Sequence, residues 1–412
     1  MSSSHLQRAL GYRKFQGGGS PRLLLMAPDY YVVRDIHESA RHLGWEVQDL
    51  PVGAAGQDDR GFLRELLQSL VEFRPDFVLT VNYFGFDQEG ELASLLERYD
   101  VPLAAWFVDH PLMILGGASA NARSNAQVFC LERTALPWLC DFGFDEPRHL
   151  PTGSNASIYH PDRIDAELSG RLGADLCFVG GSWWPRARGR GNPRLLERAR
   201  ALAEGHPLDK DFLMHRLPAV IREEELRGDR EAVFAASVAL AEESLQVRAQ
   251  LLRSVLPLDP VVHGDAHWSE LVHGLDLRPP VDPRTETPAV FAGSRVNLNV
   301  TSSQLPSGVN QRVWDVPGAG GFLLTDARED VLENFTEGVD CSVYRSPEEA
   351  CDKARYWLEH ESERERLAAR AHARVEAEHR VHHRLEAIER RMRARFSSRI
   401  QVVSSAPAPV AS

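Results

Sequence analysis

The chain has 412 residues, a formal net charge of −12, 43% hydrophobic and 26% charged residues. That length predicts two or three domains, each able to bury its own core. The acidic balance excludes a general affinity for nucleic acid or anionic membrane, because both need a basic surface. Five cysteines without a CxxC pair exclude a zinc knuckle or disulfide framework, and Cys130, Cys177 and Cys341 read as small core residues. No apolar run reaches the ~18 residues that span a bilayer, and no apolar signal core precedes the glycines at 17–19. A cytoplasmic protein without a transmembrane segment is expected.

In chain order, residues 1–20 read as a flexible N-terminus. Leu23 to Met26 is a short apolar strand, 31–43 a helix, Trp45 to Leu50 a strand and 60–73 a helix. Asp76 to Asn82, Leu103 to Asp109 and Gln127 to Glu132 are further strands, with a helix over 88–98. Short, nearly continuous apolar strands alternating with helices indicate a parallel sheet covered on both faces. Residues 21–155 are therefore predicted to be one Rossmann-like domain, and the turn-rich 156–174 a linker. A second Rossmann-like domain is expected over 175–378, opening on the strand Asp175 to Val179 and carrying a charged helical insertion at 193–256. Its strands resume at 259–263, 295–301, 321–325 and 340–344, with helices at 309–316, 347–359 and 361–377. Val381, Leu385, Ile388 and Met392 make an apolar stripe on a last helix, 379–396, predicted to cross back to the first domain. Residues 397–412 are expected to be disordered.

Ligands bind at the carboxyl ends of strands in such sheets. After Val179, Gly180 and Gly181 allow close backbone approach to an anion, and Arg186 adds planar donors, which suits a diphosphate. After Thr301, Gly308 precedes a short helix carrying Asn310, Gln311, Arg312 and Asp315, and Gly320 makes a tight return to the next strand. The free amides of that helix start offer an anion site, and Asp315 could accept from sugar hydroxyls. His263, Asp265 and His267 resemble a metal cluster, but Gly264 implies a turn, and Trp268 suits stacking on a nucleobase or core packing. In the first domain the loops at Asn82–Gly85 and Asp109–Pro111 should meet at one cleft edge, with Asp109 and His110 as candidate general bases. His379, His382 and His383 read as a solvated helix face, and Asp209-Lys210-Asp211 as a solvated charge run. No metal site is expected.

The segment RVNLNVTSSQLPSGVNQRVWDVPGAGGFLLTD, residues 295–326, resembles the donor-site region of CgeB-type (spore maturation protein-like) glycosyltransferases of the group 1, GT-B superfamily. The resemblance extends over roughly 21–395. It implies a GT-B fold and transfer of a sugar from a nucleotide-diphosphate sugar, of UDP or GDP type, bound by the second domain. The acceptor, a protein or glycan, would lie on the first domain, and no metal or other cofactor would be required. Asn310, Gln311, Arg312 and Asp315 would line the donor site. Many group 1 enzymes carry a spaced pair of glutamates; the later corresponds to Asp315, the earlier to Ser307, which is not acidic. A nucleotide-sugar epimerase or hydrolase on the same fold, or a non-catalytic sugar-nucleotide-binding protein, are the alternative readings.

Overall fold

In a computed structural model, the structure describes residues 3–53, 59–115, 120–188 and 230–397. The first sheet contains β1 (Arg22–Ala27), β2 (Glu46–Pro51), β3 (Phe77–Val81), β4 (Leu103–Phe107), β5 (Ala126–Cys130) and β6 (Arg148–His149), in the order β2-β1-β3-β4-β5-β6. The second contains β7 (Leu176–Val179), β8 (Val261–His263), β9 (Asp276–Arg278), β10 (Val296–Leu298), β11 (Leu323–Asp326) and β12 (Ser342–Tyr344), in the order β12-β11-β10-β7-β8-β9. Every pairing is parallel. β3, β4 and β5 are buried at every position, which is why they read as continuous apolar runs. The strand order reverses between β1 and β3 in one sheet and between β7 and β10 in the other. Loops leaving such a switch point diverge and open a crevice.

Parallel neighbours need a helical crossover. The expected insertion at 193–256 lies outside the described residues up to 229; its remainder, the helix Arg230–Val255, is the crossover that returns the chain from β7 to β8. Three further expectations are corrected. The first twenty residues include a helix, Ser3–Leu10, because Leu6 and Leu10 share one face and enter the first-domain core. The supposed linker contains the helix Ala166–Leu172, capped by Asp165 and packed on the helix Glu286–Gly293. Contact there is backbone to backbone: a Cβ on Gly293 would stand 2.2 Å from the Ser169 carbonyl oxygen. Strands β6 and β9 were not expected; they are short, charged edge strands with no apolar run to betray them. The expected disordered tail lies, beyond Ser397, outside the described residues.

The last helix, Val381–Phe396, does return to the first domain. Val381, Leu385, Ile388, Met392 and Phe396 pack in one cluster with Leu23, Leu25, Phe77 and Trp106. The chain crosses between domains at Ser154 and Arg380, which pair as a short parallel bridge. Arg380 is fully buried, and its guanidinium donates to Ser154 Oγ at 2.9 Å, the Tyr159 carbonyl at 2.7 Å, the Gly318 carbonyl at 3.2 Å and Glu376. His379 is not solvated as expected: it is 3% exposed and stacks on Trp314 with ring centroids 4.7 Å apart.

Burial first, then the charge of Arg384, pushes His379 down to about 3 from 6.5. The fold accepts only its neutral form, so the stability it contributes is intact above pH 6.5 and is lost as the pH falls from there towards 3. We expect urea unfolding to show a loss of about 2 kcal/mol from this group between about pH 7.5 and pH 5, and His379→Gln to remove that loss. Equal pH slopes in the two proteins would contradict the assignment.

Candidate active site

Between the carboxyl ends of the two sheets lies a cleft of about 640 Å³. Tyr31, Asp35, Asp109 and Leu131 line it from the first domain, and Gly180, Gly181, Arg186, Arg248, Asn310, Gln311, Arg312 and Asp315 from the second.

The loop after β7 is built from within. Gly180 donates its N–H to the His263 carbonyl at 2.9 Å and accepts from Trp268 Nε1 at 2.9 Å. Asp265 accepts from the Ser182 amide at 2.6 Å, the Ser182 hydroxyl at 2.7 Å and the His267 amide at 3.2 Å. Asp265 thus orders this loop. Trp268 is fully buried in the core and does not line the cleft, which corrects its expected nucleobase role. A Cβ on Gly180 would stand 3.1 Å from Arg312 Nη2, so the glycine lets that guanidinium lie against the backbone.

Arg248, 3% exposed, joins Arg312 here from the crossover helix and donates to the Gly181 carbonyl at 2.7 Å. Burial, and then the charge of Arg312, pushes Arg248 down to about 9, and burial lowers Arg312 as well. Among the described residues neither guanidinium has a carboxylate in salt-bridge contact, and none hydrogen-bonds to that of Arg312. Arg186 and Arg248 both lie 5.3 Å from the Trp183 ring centroid. The result is a partly desolvated cationic pocket beside a close-approach glycine loop, the chemistry of a phosphate site.

The segment after β10 differs from expectation. Its helix, Arg312–Gly318, is only 7 residues long. The amides of Ser307 and Gly308 are not free: they donate to Glu132 Oε2 at 3.2 and 2.9 Å. Gly308 is therefore packed on the first domain, its would-be Cβ 2.9 Å from the Leu131 carbonyl, instead of on a ligand. Gly320 makes its turn at φ +81° and stands outside the cleft lining. Asn310 Nδ2 donates to Asn299 Oδ1 at 3.1 Å and to the Val300 carbonyl at 3.0 Å, while Gln311 Nε2 reaches Asp35 at 3.4 Å. The side-chain carbonyl oxygens of Asn310 and Gln311 and Oδ1 of Asp315 are buried without a partner. Such orphaned acceptors on a cleft wall are suited to ligand hydroxyl or amide donors. Burial raises the Asp315 carboxyl well above the usual range, outweighing Arg380 and Arg312.

On the first domain, Asn82 ends β3 in the left-handed region at φ 50°. Its Oδ1 accepts from the amides of Val108 at 3.0 Å and Asp109 at 3.3 Å, and its Nδ2 donates to Asp109 Oδ2 at 2.9 Å. Tyr30 and, from the second domain, Gln304 also donate to Asp109, each at 3.3 Å. Asp109 is thus fixed on the cleft wall. His110 is not: it is 8% exposed, turned away from the cleft, with Nδ1 accepting from the Leu112 amide at 3.3 Å. Burial lowers its pKa, and it is not among the residues that line the cleft. That removes it as a candidate base.

Arg248 and Glu132 escaped sequence reading, as did the role of Asn82 in holding Asp109. Arg248 had a signal: it falls on the buried face of an apolar stripe with Leu245, Ala249 and Leu252, where an unpaired arginine needs an explanation.

Residues 246–390 match the model of a family described as glycosyl transferase-like, a span that holds Arg248, Arg312, Asp315 and the interdomain crossover. No curated protein matches the chain in sequence. Among solved structures, Anabaena HepE in complex with UDP and glucose superposes with TM-score 0.52 at 10% identity, over 91% of this chain and 100% of that one. HepE with UDP-glucose gives 0.51 at 10% identity, over 91% and 100%. Sucrose-phosphate synthase from Thermosynechococcus elongatus gives 0.50 at 11% identity, over 91% and 100%. The fold is that of the GT-B glycosyltransferases, two Rossmann-like domains facing a cleft, and the segment forming most of the second domain's site is glycosyl transferase-like. Among the described residues no helix is long and apolar enough to cross a membrane.

Glu132 is fully buried and holds Ser307, Gly308 and Thr134 with its two oxygens. Glu132→Gln turns an amide NH₂ towards these donors, and we expect it to lower the unfolding free energy by about 2–3 kcal/mol. Glu333→Gln, at the exposed partner of Arg133, should change it by less than about 1 kcal/mol. Denaturant titration of both variants checks this; equal effects would contradict the latch.

Proposed function

We propose that the protein is a glycosyltransferase of CgeB-like type, transferring a sugar from a nucleoside-diphosphate sugar to a hydroxyl of a protein or glycan acceptor, without a catalytic metal or other cofactor, in the cytoplasm. The observation that carries this reading is the pair of arginines, buried Arg248 and half-buried Arg312, that meet at Gly180–Gly181 with, among the described residues, no carboxylate in salt-bridge contact. Two neighbouring cations, one of them buried, repel one another, and a diphosphate is a ligand that relieves both. The similarity to HepE, described with UDP and with UDP-glucose, makes UDP the first nucleotide to test.

In this reading the diphosphate lies between the two guanidiniums and the glycine loop, and Asn310, Gln311 and Asp315 receive donor hydroxyls. The acceptor oxygen bonds to the anomeric carbon as the bond from that carbon to the phosphate oxygen breaks. The acceptor proton passes to Asp109, which Asn82, Tyr30 and Gln304 hold in place. The charge that develops on the departing diphosphate is met by Arg248 and Arg312, the place a metal ion would otherwise fill.

Arg312→Ala is expected to weaken UDP or GDP binding by at least ~1.5 kcal/mol and to spare the nucleoside. Asp315→Asn should weaken nucleotide and nucleoside alike, and chelators should leave diphosphate binding intact in the wild type. Calorimetry on both variants decides this. Diphosphate affinity unchanged in Arg312→Ala, or abolished by chelation and restored by a divalent ion, would overturn the reading.

A further inference from the structure

We propose a transition-metal site, suited to Zn²⁺, at the junction where the chain crosses between the domains, held by His160, His372 and Glu376. Among the described residues this triple alone brings three ligand-type side chains together, with one ligand atom from each within 4.8 Å of the others. His160 stands just before the turn Pro161–Arg163, on the segment that has left the first domain. His372 and Glu376 lie one turn apart on the helix Glu361–Glu378. Nε2 of His160 is 3.7 Å from Glu376 Oε1, and Nε2 of His372 is 3.9 Å from the same oxygen. Four-coordinate zinc, with bonds of roughly 2.0–2.2 Å, sets its ligands about 3.3 Å apart, so side-chain shifts of about 1 Å close the site.

The atoms behind His372 fit as well. A metal-binding histidine donates its other ring N–H to a carbonyl or carboxylate. His372 Nδ1 faces the Pro317 carbonyl at 3.0 Å, which fixes the tautomer with a free lone pair on Nε2. His160 Nδ1 has two partners on Asp162: the amide at 3.2 Å, from which it accepts, and Oδ2 at 3.7 Å. Metal binding at Nε2 would require the Nδ1–H form, so this ring would give up the Asp162 amide and shift to donate to the Asp162 carboxylate. Arg380 donates to the same oxygen of Glu376, Oε1, which leaves the remaining lone pairs of the carboxylate for the metal. Side-chain exposures of 30%, 23% and 37% leave a fourth position for water. A neighbouring cavity of about 370 Å³, lined by His42, His160 and His382, provides the way in. Two imidazoles and one carboxylate select zinc over magnesium or calcium.

None of the three residues lines the cleft, so the ion would be structural and leaves the metal-free transfer reading untouched. Its place is beside Arg380, which already ties Ser154, Tyr159 and Gly318 together. A bound ion would clamp the outgoing segment to the helix that leads the chain back.

The test uses the full chain, stripped with a chelator, dialysed and titrated with Zn²⁺ against a chromophoric competitor. One Zn²⁺ per chain is expected, with visible d–d bands of a four-coordinate site when Co²⁺ replaces it. His160→Gln and His372→Gln should each weaken Zn²⁺ binding by at least ~10-fold, while His273→Gln, at an exposed histidine elsewhere, should not. Melting temperatures of the metal-free variants, compared with metal-free wild type, show that the fold is intact; added Zn²⁺ should raise the wild-type value alone. Zn²⁺ affinity unchanged in both site variants, or no stoichiometric Zn²⁺ binding by the wild type, would overturn the proposal.

Discussion

Two arginines of like charge, one buried and one half-buried, set against the same glycine loop, are the constraint on which the site depends. Arg248 arrives on the crossover helix after β7, and Arg312 on the short helix after β10. β7 and β10 are neighbours in the sheet, and the chain leaves them in opposite directions. The strand order of the second domain is therefore what brings the two cations together. Desolvation and mutual repulsion both oppose their charge, and an anion is the natural counterpart. The protein prepares for it in advance: Asp265 and Trp268 fix the Gly180–Ser182 loop, and the absence of a side chain at Gly180 keeps Arg312 on the backbone.

The cleft exists because two further buried groups hold the domains face to face. Arg380 ties Ser154, where the chain leaves the first domain, to the Tyr159 and Gly318 carbonyls, and Glu132 reaches from the first domain to the turn before the Arg312 helix. Breaking either would leave buried donors or acceptors unpaired, a larger penalty than the contact's own contribution. Asp109 is the third link. It is held by Asn82 and Tyr30 from its own domain and touched by Gln304 from the other, so the acceptor-side carboxylate and the cationic pocket share one cavity.

The fold was largely legible because buried parallel strands write themselves as apolar runs, and the returning helix as the stripe Val381, Leu385, Ile388 and Met392. Edge strands β6 and β9 carry no such run and were invisible. The cleft lining was legible at Gly180, Gly181 and Asp109, which closely follow strands, and at Arg312 and Asp315 on the long segment between β10 and β11. It was not legible where the partner lies far along the chain. Ser307 and Gly308 read as an open anion site, yet Glu132, distant in sequence, occupies their amides. His110 sits beside Asp109 in sequence but faces the core, because the residue after a strand end can point either way. Arg248 was hidden among charges that looked solvent-exposed; only the packing shows that its face of the helix is buried.

The central claim is that a nucleoside diphosphate is bound by this particular loop and these two arginines. A crystal structure of the full chain grown with UDP, and in parallel with GDP, tests it most directly. The account predicts the diphosphate against Gly180 and Gly181, with Arg248 and Arg312 both within hydrogen-bond distance of its oxygens and the nucleoside towards Asp315. A nucleotide bound elsewhere, or a diphosphate that touches neither arginine, would contradict it.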